Sequence, residues 1–193
     1  VVLPERAALW TDGRYFLQAS QQLDGSGIEL MRMGQPGVPE IPDFLRDSVP
    51  ENGLIGFDSR TISNDFARRI GAKTQEKHIR FAGGEDLVGL VWADRPALSC
   101  EKLWELDASY AGLSRAEKLA KVREKMDEAG ADVFIIPALD EIAWLLNLRG
   151  GDVLFTPVFL SYLMLTRGSA TLCVQKEAVS AEIEAHLNAD GVT

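Results

Sequence analysis

Apolar residues along this chain fall into short runs and helical stripes separated by turn signals. Ala7–Thr11 is an apolar run stopped by Asp12-Gly13, a turn pair, and predicts a strand. Beyond it Tyr15, Ala19 and Leu23 recur at i, i+4 and i+8, which fits a helix face better than the return strand of a hairpin. Ile28 and Leu30 alternate with Glu29 and Met31, so a strand is expected over 27–33. Pro36, Gly37, Pro39 and Pro42 mark a loop, from which a short helix starts at Glu40 or Pro42 and runs to about Ser48. The run 54–58 reads as a buried strand, 64–70 as a helix closed by Gly71, and 77–81 as a further strand containing His78. Strand and helix thus alternate, which favours α/β layers over an all-β sandwich.

From Trp92 to Leu113 the periodicity fades, and a domain boundary is expected there, dividing the chain into 1–108 and 109–193. Ser114 and Glu117 then form a capping box, in which each side chain satisfies a free amide of the first helical turn. Leu119, Val122, Met126 and Ala129 make one apolar face, and Gly130 closes that helix. A buried strand over 132–137, a mostly apolar helix over 139–148, strands over 158–166 and 170–174, and a last helix over 177–187 complete the pattern. A strand–helix alternation begins again after residue 113, as a second copy of a similar unit would show, without a close residue-level repeat.

Composition narrows the function classes. The chain of 193 residues carries 20 Lys+Arg against 29 Asp+Glu, a net charge of −9. That balance opposes nucleic-acid binding, which needs a basic surface, and disfavours anionic membranes. Hydrophobic residues at 46% and charged residues at 25% are those of a globular protein, not of a disordered or collagen-like chain. Cys100 and Cys173 form no CxxC pair, so two free buried thiols in a cytoplasmic protein are expected, with a single bridge the alternative. The apolar stretch 153–165 falls short of the roughly 20 residues a membrane helix requires. No basic-then-apolar leader is visible, and a start at Val1 on the edge of a strand suggests a piece of a longer polypeptide.

Candidate chemistry is sparse. His78 and His186 sit in no HxH or HExxH spacing, and each reads as a surface or half-buried histidine. There is no GxSxG elbow, no GxGxxG and no GKS/T loop. Asp140-Glu141 opens a helix, where carboxylates favour the positive end of the dipole, and Asp152 reads as a turn residue. Arg14 follows a strand end and a tight turn, where a guanidinium could clamp a carboxylate or peptide carbonyl; an ordinary ion pair with Asp12 is the larger expectation on chemistry alone. Arg149 is a similar loop arginine. Trp10, Trp92, Trp104 and Trp144 could line an interface, though a buried core is the commoner fate of an aromatic.

Several ordered segments carry a resemblance: 10–18 (WTDGRYFLQ), 30–34 (LMRMG), 91–96 (VWADRP), 138–150 (ALDEIAWLLNLRG) and 156–162 (TPVFLSY). Together they are similar to the cytosolic Xaa-Pro aminopeptidases of the creatinase/prolidase superfamily, from about residue 7 to beyond 175. The resemblance implies an α/β fold of creatinase/prolidase N-terminal-type domains, each a ribonuclease-H-like mixed sheet flanked by helices. A third, pita-bread catalytic domain would hold two manganese ions and lies outside this chain, so the chain itself is expected to be inactive and to bind no metal. Short proline-containing peptides as substrates, a homodimer and a cytoplasmic location are likewise implied. The resemblance makes Arg14 a peptide-contacting residue and leaves Arg149 structural or interfacial. Thr156 stands where eukaryotic relatives usually carry Asn. Two readings compete with this one: a metal-free relative that uses the fold to bind proteins, and a creatinase or prolidase.

Overall fold

In the first part of the chain, β1 (Ala7–Thr11), α1 (Phe16–Gln22) and β2 (Ile28–Arg32) are followed by α2 (Ile41–Ser48). β3 (Leu54–Phe57), α3 (Asn64–Thr74), β4 (Arg80–Gly83) and α4 (Leu87–Val91) come next. The computed structural model describes all residues, Val1–Thr193, and divides them into two compact units, Val1–Arg95 and Pro96–Thr193.

Within the first unit β1 pairs in parallel with β2, Leu9 opposite Leu30, and β3 pairs in parallel with β4, Ile55 opposite Phe81. A parallel pair cannot be closed by a tight turn, and α1 and α3 supply the two crossovers. Leu45, Val49, Ile70 and Ile79 form the buried cluster, with Val1, Leu3, Ile41, Ile55 and Phe66 against it. β3 is not the buried strand its composition suggests: its residues alternate between exposed and half-buried. α3 runs through Gly71 to Thr74 instead of ending at it. Ile70 and Thr74 lie one turn apart on the buried face, and the Thr74 hydroxyl donates to the Ile70 carbonyl at 2.9 Å. A 3-10 turn over Gln75–Lys77 then ends at His78, whose φ of 50° takes it out of the expected strand, which starts only at Arg80.

The second unit holds β5 (Trp104–Glu105), α5 (Ala108–Ala111), α6 (Arg115–Glu128), β6 (Val133–Ile136) and α7 (Leu139–Leu146). β7 (Leu148–Arg149), β8 (Ser161–Thr166), β9 (Ala170–Val174) and α8 (Ala181–Ala189) complete it. β6, β8 and β9 form an antiparallel sheet in that order, and β5 pairs antiparallel with β7. The division between the units falls inside the aperiodic stretch 92–113. Residues 96–108, grouped with the first half on sequence, pack with the second unit: Leu103 is in its core and donates to the Ala178 carbonyl at 2.9 Å.

Both halves of the capping box are present. The Glu117 amide donates to Ser114 Oγ at 3.3 Å, and the Ser114 amide donates to Glu117 Oε2 at 2.8 Å. Gly130, at φ 66°, sits beyond the end of α6 in the left-handed region that a non-glycine residue adopts only with strain. Along β8 the period is 2: Ser161, Leu163 and Leu165 are buried, Tyr162 and Met164 exposed. β6 departs from its expected burial, since only Ile136 is covered. It is an edge strand, and Val133 and Ile135 pair with Thr166 and Met164 on the uncovered face of the sheet. Both cysteines are free, as expected, but neither is buried: Cys100 is half-buried and Cys173 is exposed on that face.

The buried side of α6 also differs from the apolar stripe. Ala129 is exposed, whereas Arg115 and Lys118 are buried with Leu119 and Met126. Their partners explain the exchange. Arg115 Nε donates to the Leu146 carbonyl at 2.8 Å, Lys118 Nζ to the Trp144 carbonyl at 2.8 Å, and Arg149 Nη1 to the Ala143 carbonyl at 2.7 Å. Three cations thus meet the last turn of α7, where carbonyls lack intrahelical partners and the dipole is negative. Asn147, left-handed at φ 53°, completes the cap: its side-chain oxygen accepts from Lys118 at 2.6 Å and its amide donates to the Leu113 carbonyl at 2.9 Å.

Candidate functional site

The turn after β1 places Arg14. The Tyr15 amide donates to the Asp12 carbonyl at 3.0 Å and closes a four-residue turn. Asp12 Oδ1 accepts the Arg14 amide at 3.0 Å and Arg14 Nε at 2.9 Å, while Oδ2 accepts Nη2 at 2.8 Å. The guanidinium carbon lies 5.4 Å from the centre of the Tyr15 ring. One edge of the guanidinium is therefore fixed by Asp12, one face rests on an aromatic, and the Nη1 donors remain free. The Arg14 side chain is 78% exposed. Hydrogen bonds from the Arg14 side chain and then its amide hold the Asp12 carboxyl down at about 2. The same partner raises the Arg14 guanidinium above its ordinary value.

An equivalent turn, missed in the sequence, follows β3. The Thr61 amide donates to the Asp58 carbonyl at 3.0 Å, and Asp58 accepts the Arg60 amide at 2.9 Å, Nε at 3.0 Å and Nη2 at 2.8 Å. Asp58 is likewise held at about 2, chiefly by the Arg60 side chain. The signal was present: Asp-x-Arg directly after the first strand of each βαβ unit. The two turns differ in what else the arginine does. Arg60 Nη2 also donates to Asp86 at 3.1 Å, and Asp86 takes Arg95 and caps α4 through the Gly89 amide. Arg60 is shared between two carboxylates; Arg14 is not.

The other sequence candidates take structural places. Arg149 donates to backbone carbonyls of Ala143 and Leu148. Asp140 and Glu141 lie in the first turn of α7. Asp152 braces its loop, accepting from the Ser99 hydroxyl at 2.7 Å, the Glu101 amide at 2.9 Å and the Leu160 amide at 2.9 Å. His186 Nδ1 is 2.8 Å from Glu105 Oε2, and Glu105 also takes Arg115 at 2.6 Å. Burial raises the Glu105 carboxyl, but the hydrogen bonds from His186 and Arg115 outweigh it, and the net shift is downward. Trp10 is half-buried, donating Nε1–H to the Pro39 carbonyl at 2.8 Å and standing edge-on to Phe44. Trp92, Trp104 and Trp144 are half-exposed.

No three His, Cys, Asp or Glu side chains gather where they could hold a metal ion. The donor set of this chain does not fit a metal centre. The first unit contains an apolar cavity of about 450 Å³, lined by Leu45, Ile55, Phe57, Phe66, Ile70 and Phe81 among others. It lacks the convergent polar groups of a catalytic pocket. No helix is long and apolar enough to cross a membrane. Arg14 on its Asp12 brace keeps donors through which a ligand oxygen can be held.

Residues 94–193 match the family model described as the creatinase/prolidase N-terminal domain. Aminopeptidase P2 of Arabidopsis thaliana is 40% identical over 195 residues, covering 100% of this chain and 27% of the plant protein. A probable Xaa-Pro aminopeptidase P of Phaeosphaeria nodorum is 39% identical over 189 residues, covering 97% of this chain and 29% of its own length. Among solved structures, the X-prolyl aminopeptidase of Caenorhabditis elegans, described as a cytosolic enzyme with a di-nuclear active site, superposes with a TM-score of 0.91 at 32% identity. That match covers 100% of this chain and 31% of the worm enzyme. The chain thus spans about 30% of the length of these relatives.

Proposed function

Because the chain belongs to the creatinase/prolidase N-terminal domain family, we propose that it is the non-catalytic N-terminal part of a Xaa-Pro aminopeptidase. Such an enzyme releases the first residue of peptides that carry proline second. The observation that carries this reading is the likeness to relatives near 40% identity along the whole chain, with which the family match over 94–193 agrees.

In this reading the hydrolytic centre lies outside the 193 residues, and the lack of a cluster of three metal-ligating side chains among them supports it. The two metal ions of that centre are manganese, the protein works in the cytosol, and it acts as a homodimer. The part described here limits substrate access. Arg14 supplies hydrogen-bond donors to the peptide, and its exposure together with the free Nη1 group supports that role. Arg149 is committed to backbone carbonyls and shapes the fold.

The test is hydrolysis of a Xaa-Pro tripeptide, with manganese added, by the full-length native polypeptide and by the 193-residue chain side by side. Turnover by the longer protein and none by the chain is the expected result. Turnover by the chain alone would overturn the non-catalytic assignment. Silence of both would favour a metal-free relative that uses the same fold to bind proteins.

A further inference from the structure

Asp12 does more than pair with Arg14. It engages Nε and Nη2 with both its oxygens and takes the Arg14 amide as well, so the guanidinium is held in one orientation although the side chain is 78% exposed. An unbraced surface arginine would sample many rotamers and lose entropy on binding a ligand. The brace removes part of that cost and leaves Nη1 without a partner on an exposed side chain. It also sets the charge of the site. Asp12 and Arg14 together are neutral, and no third charged group is hydrogen-bonded to either. A ligand oxygen accepting from Nη1 therefore meets a directed donor with a carboxylate a few ångströms behind it.

We infer that Asp12 is a positioning and specificity residue for Arg14, tuning the pair to accept a neutral peptide carbonyl in preference to a free carboxylate. This rests on the proposal that Arg14 contacts peptide. The preference follows from Coulomb's law: a ligand carboxylate is attracted by the guanidinium but repelled by Asp12, whereas an amide carbonyl keeps its hydrogen bond without the repulsion. The Asp58–Arg60 turn provides a control inside the same unit. Its backbone and side-chain hydrogen bonds match those of Asp12–Arg14, but its arginine is tied to a second carboxylate.

The experiment uses the full-length polypeptide and two Xaa-Pro peptides whose first peptide bond is reduced to a methyleneamine, so that they bind without being cleaved. One ends in a free carboxylate and the other in an amide, each made as a tri- and a tetrapeptide, and Kd is measured by calorimetry. Wild type is expected to bind the amide at least as tightly as the acid. Asp12→Asn leaves a net positive site and should move the acid-to-amide affinity ratio toward the acid by roughly four-fold, the effect of a unit charge about 5 Å away in a water-like medium. Asp12→Glu should restore much of the wild-type ratio, Arg14→Ala should weaken both peptides, and Asp58→Asn should leave the ratio unchanged. An Asp12→Asn ratio equal to wild type, or a shift matched by Asp58→Asn, overturns the inference, as does absence of binding to wild type. Hydrolysis of the unmodified peptides is followed in parallel. If it is absent while the affinity ratio shifts as stated, the aminopeptidase reading fails and the role of Asp12 stands.

Discussion

The two units of this chain use arginine in opposite ways. Arg115, in the second unit, is 6% exposed and donates to Glu105, Asp190 and the Leu146 carbonyl, so each of its three guanidinium nitrogens is occupied. Arg14, in the first, is 78% exposed and has a single carboxylate partner. Arg60 stands between them, exposed but shared by two carboxylates. The comparison teaches that the useful measure of a binding arginine is how many donors remain after the fold has taken its share. Arg115 has no guanidinium nitrogen without a partner and is a structural part; Arg14 keeps its whole Nη1 group in reserve.

The surroundings differ in the same direction. The second unit closes a broad core around Leu119, Ile142, Leu146, Phe159, Leu163 and Leu165, whereas the buried cluster of the first consists of Leu45, Val49, Ile70 and Ile79. A buried charge is tolerated only where every polar group around it is paired, and the second unit meets that condition: no buried side-chain nitrogen or oxygen lacks a partner.

Removing the structural arginine should have the largest effect. Arg115→Ala removes the arginine from Glu105, Asp190 and the Leu146 carbonyl, and should destabilise the second unit by about 3 kcal/mol, the low end for a broken buried pair because both carboxylates reach solvent. Urea denaturation of the chain reads this directly; a change under ~0.5 kcal/mol would erase the contrast between the two arginines. Arg14→Ala is the complementary test. It should leave the denaturation midpoint within experimental error, as expected for an exposed pair, while weakening peptide binding by the full-length protein. A clear loss of stability would place Arg14 with Arg115 as a structural residue.

The smallest effect is one of acidity. Asp12 and Asp58 are both held at about 2, below the ordinary 3.8, by their paired arginines. Between those two values the unfolded chain binds more protons than the folded one, so the contribution of these pairs is complete above 3.8 and fades as the pH falls through 2. Carboxyl-carbon NMR titration should show both midpoints near 2, and Asp12→Asn should remove one without moving the other. A midpoint for Asp12 near 4 would mean that the brace on Arg14 is not held in solution.

Much of the fold was legible in the chain. Strand, turn and helix around Ala7–Thr11, the Ser114–Glu117 box, the left-handed Gly130 and the hairpin from β8 to β9 depend on neighbours close in sequence, which a pattern can register. The elements that departed from expectation are those in which a distant contact decided the matter. Gly71 did not stop α3 because burial of Ile70 and Thr74 kept the helix going, and β6 was apolar yet uncovered because it lies at an edge. The candidate site was half legible. Asp12-Gly13-Arg14 announced a turn and a projecting cation, but its twin at Asp58–Arg60 passed unnoticed.

The sequence by itself determined the alternation of strands and helices, the caps, the acidic balance and the family to which the chain belongs, since all of these follow from residue identity and local spacing. Only the tertiary structure decided the fate of its charges. Lys118 lies on the same helix as other lysines that remain in water, yet it is buried against Asn147 and the Trp144 ring; Arg14 and Arg60 share a motif, yet only Arg60 is tied to a second carboxylate. A side chain's donors are fixed by its chemistry, but whether they are already satisfied depends on carbonyls and carboxylates far along the chain, and folding alone brings those within reach.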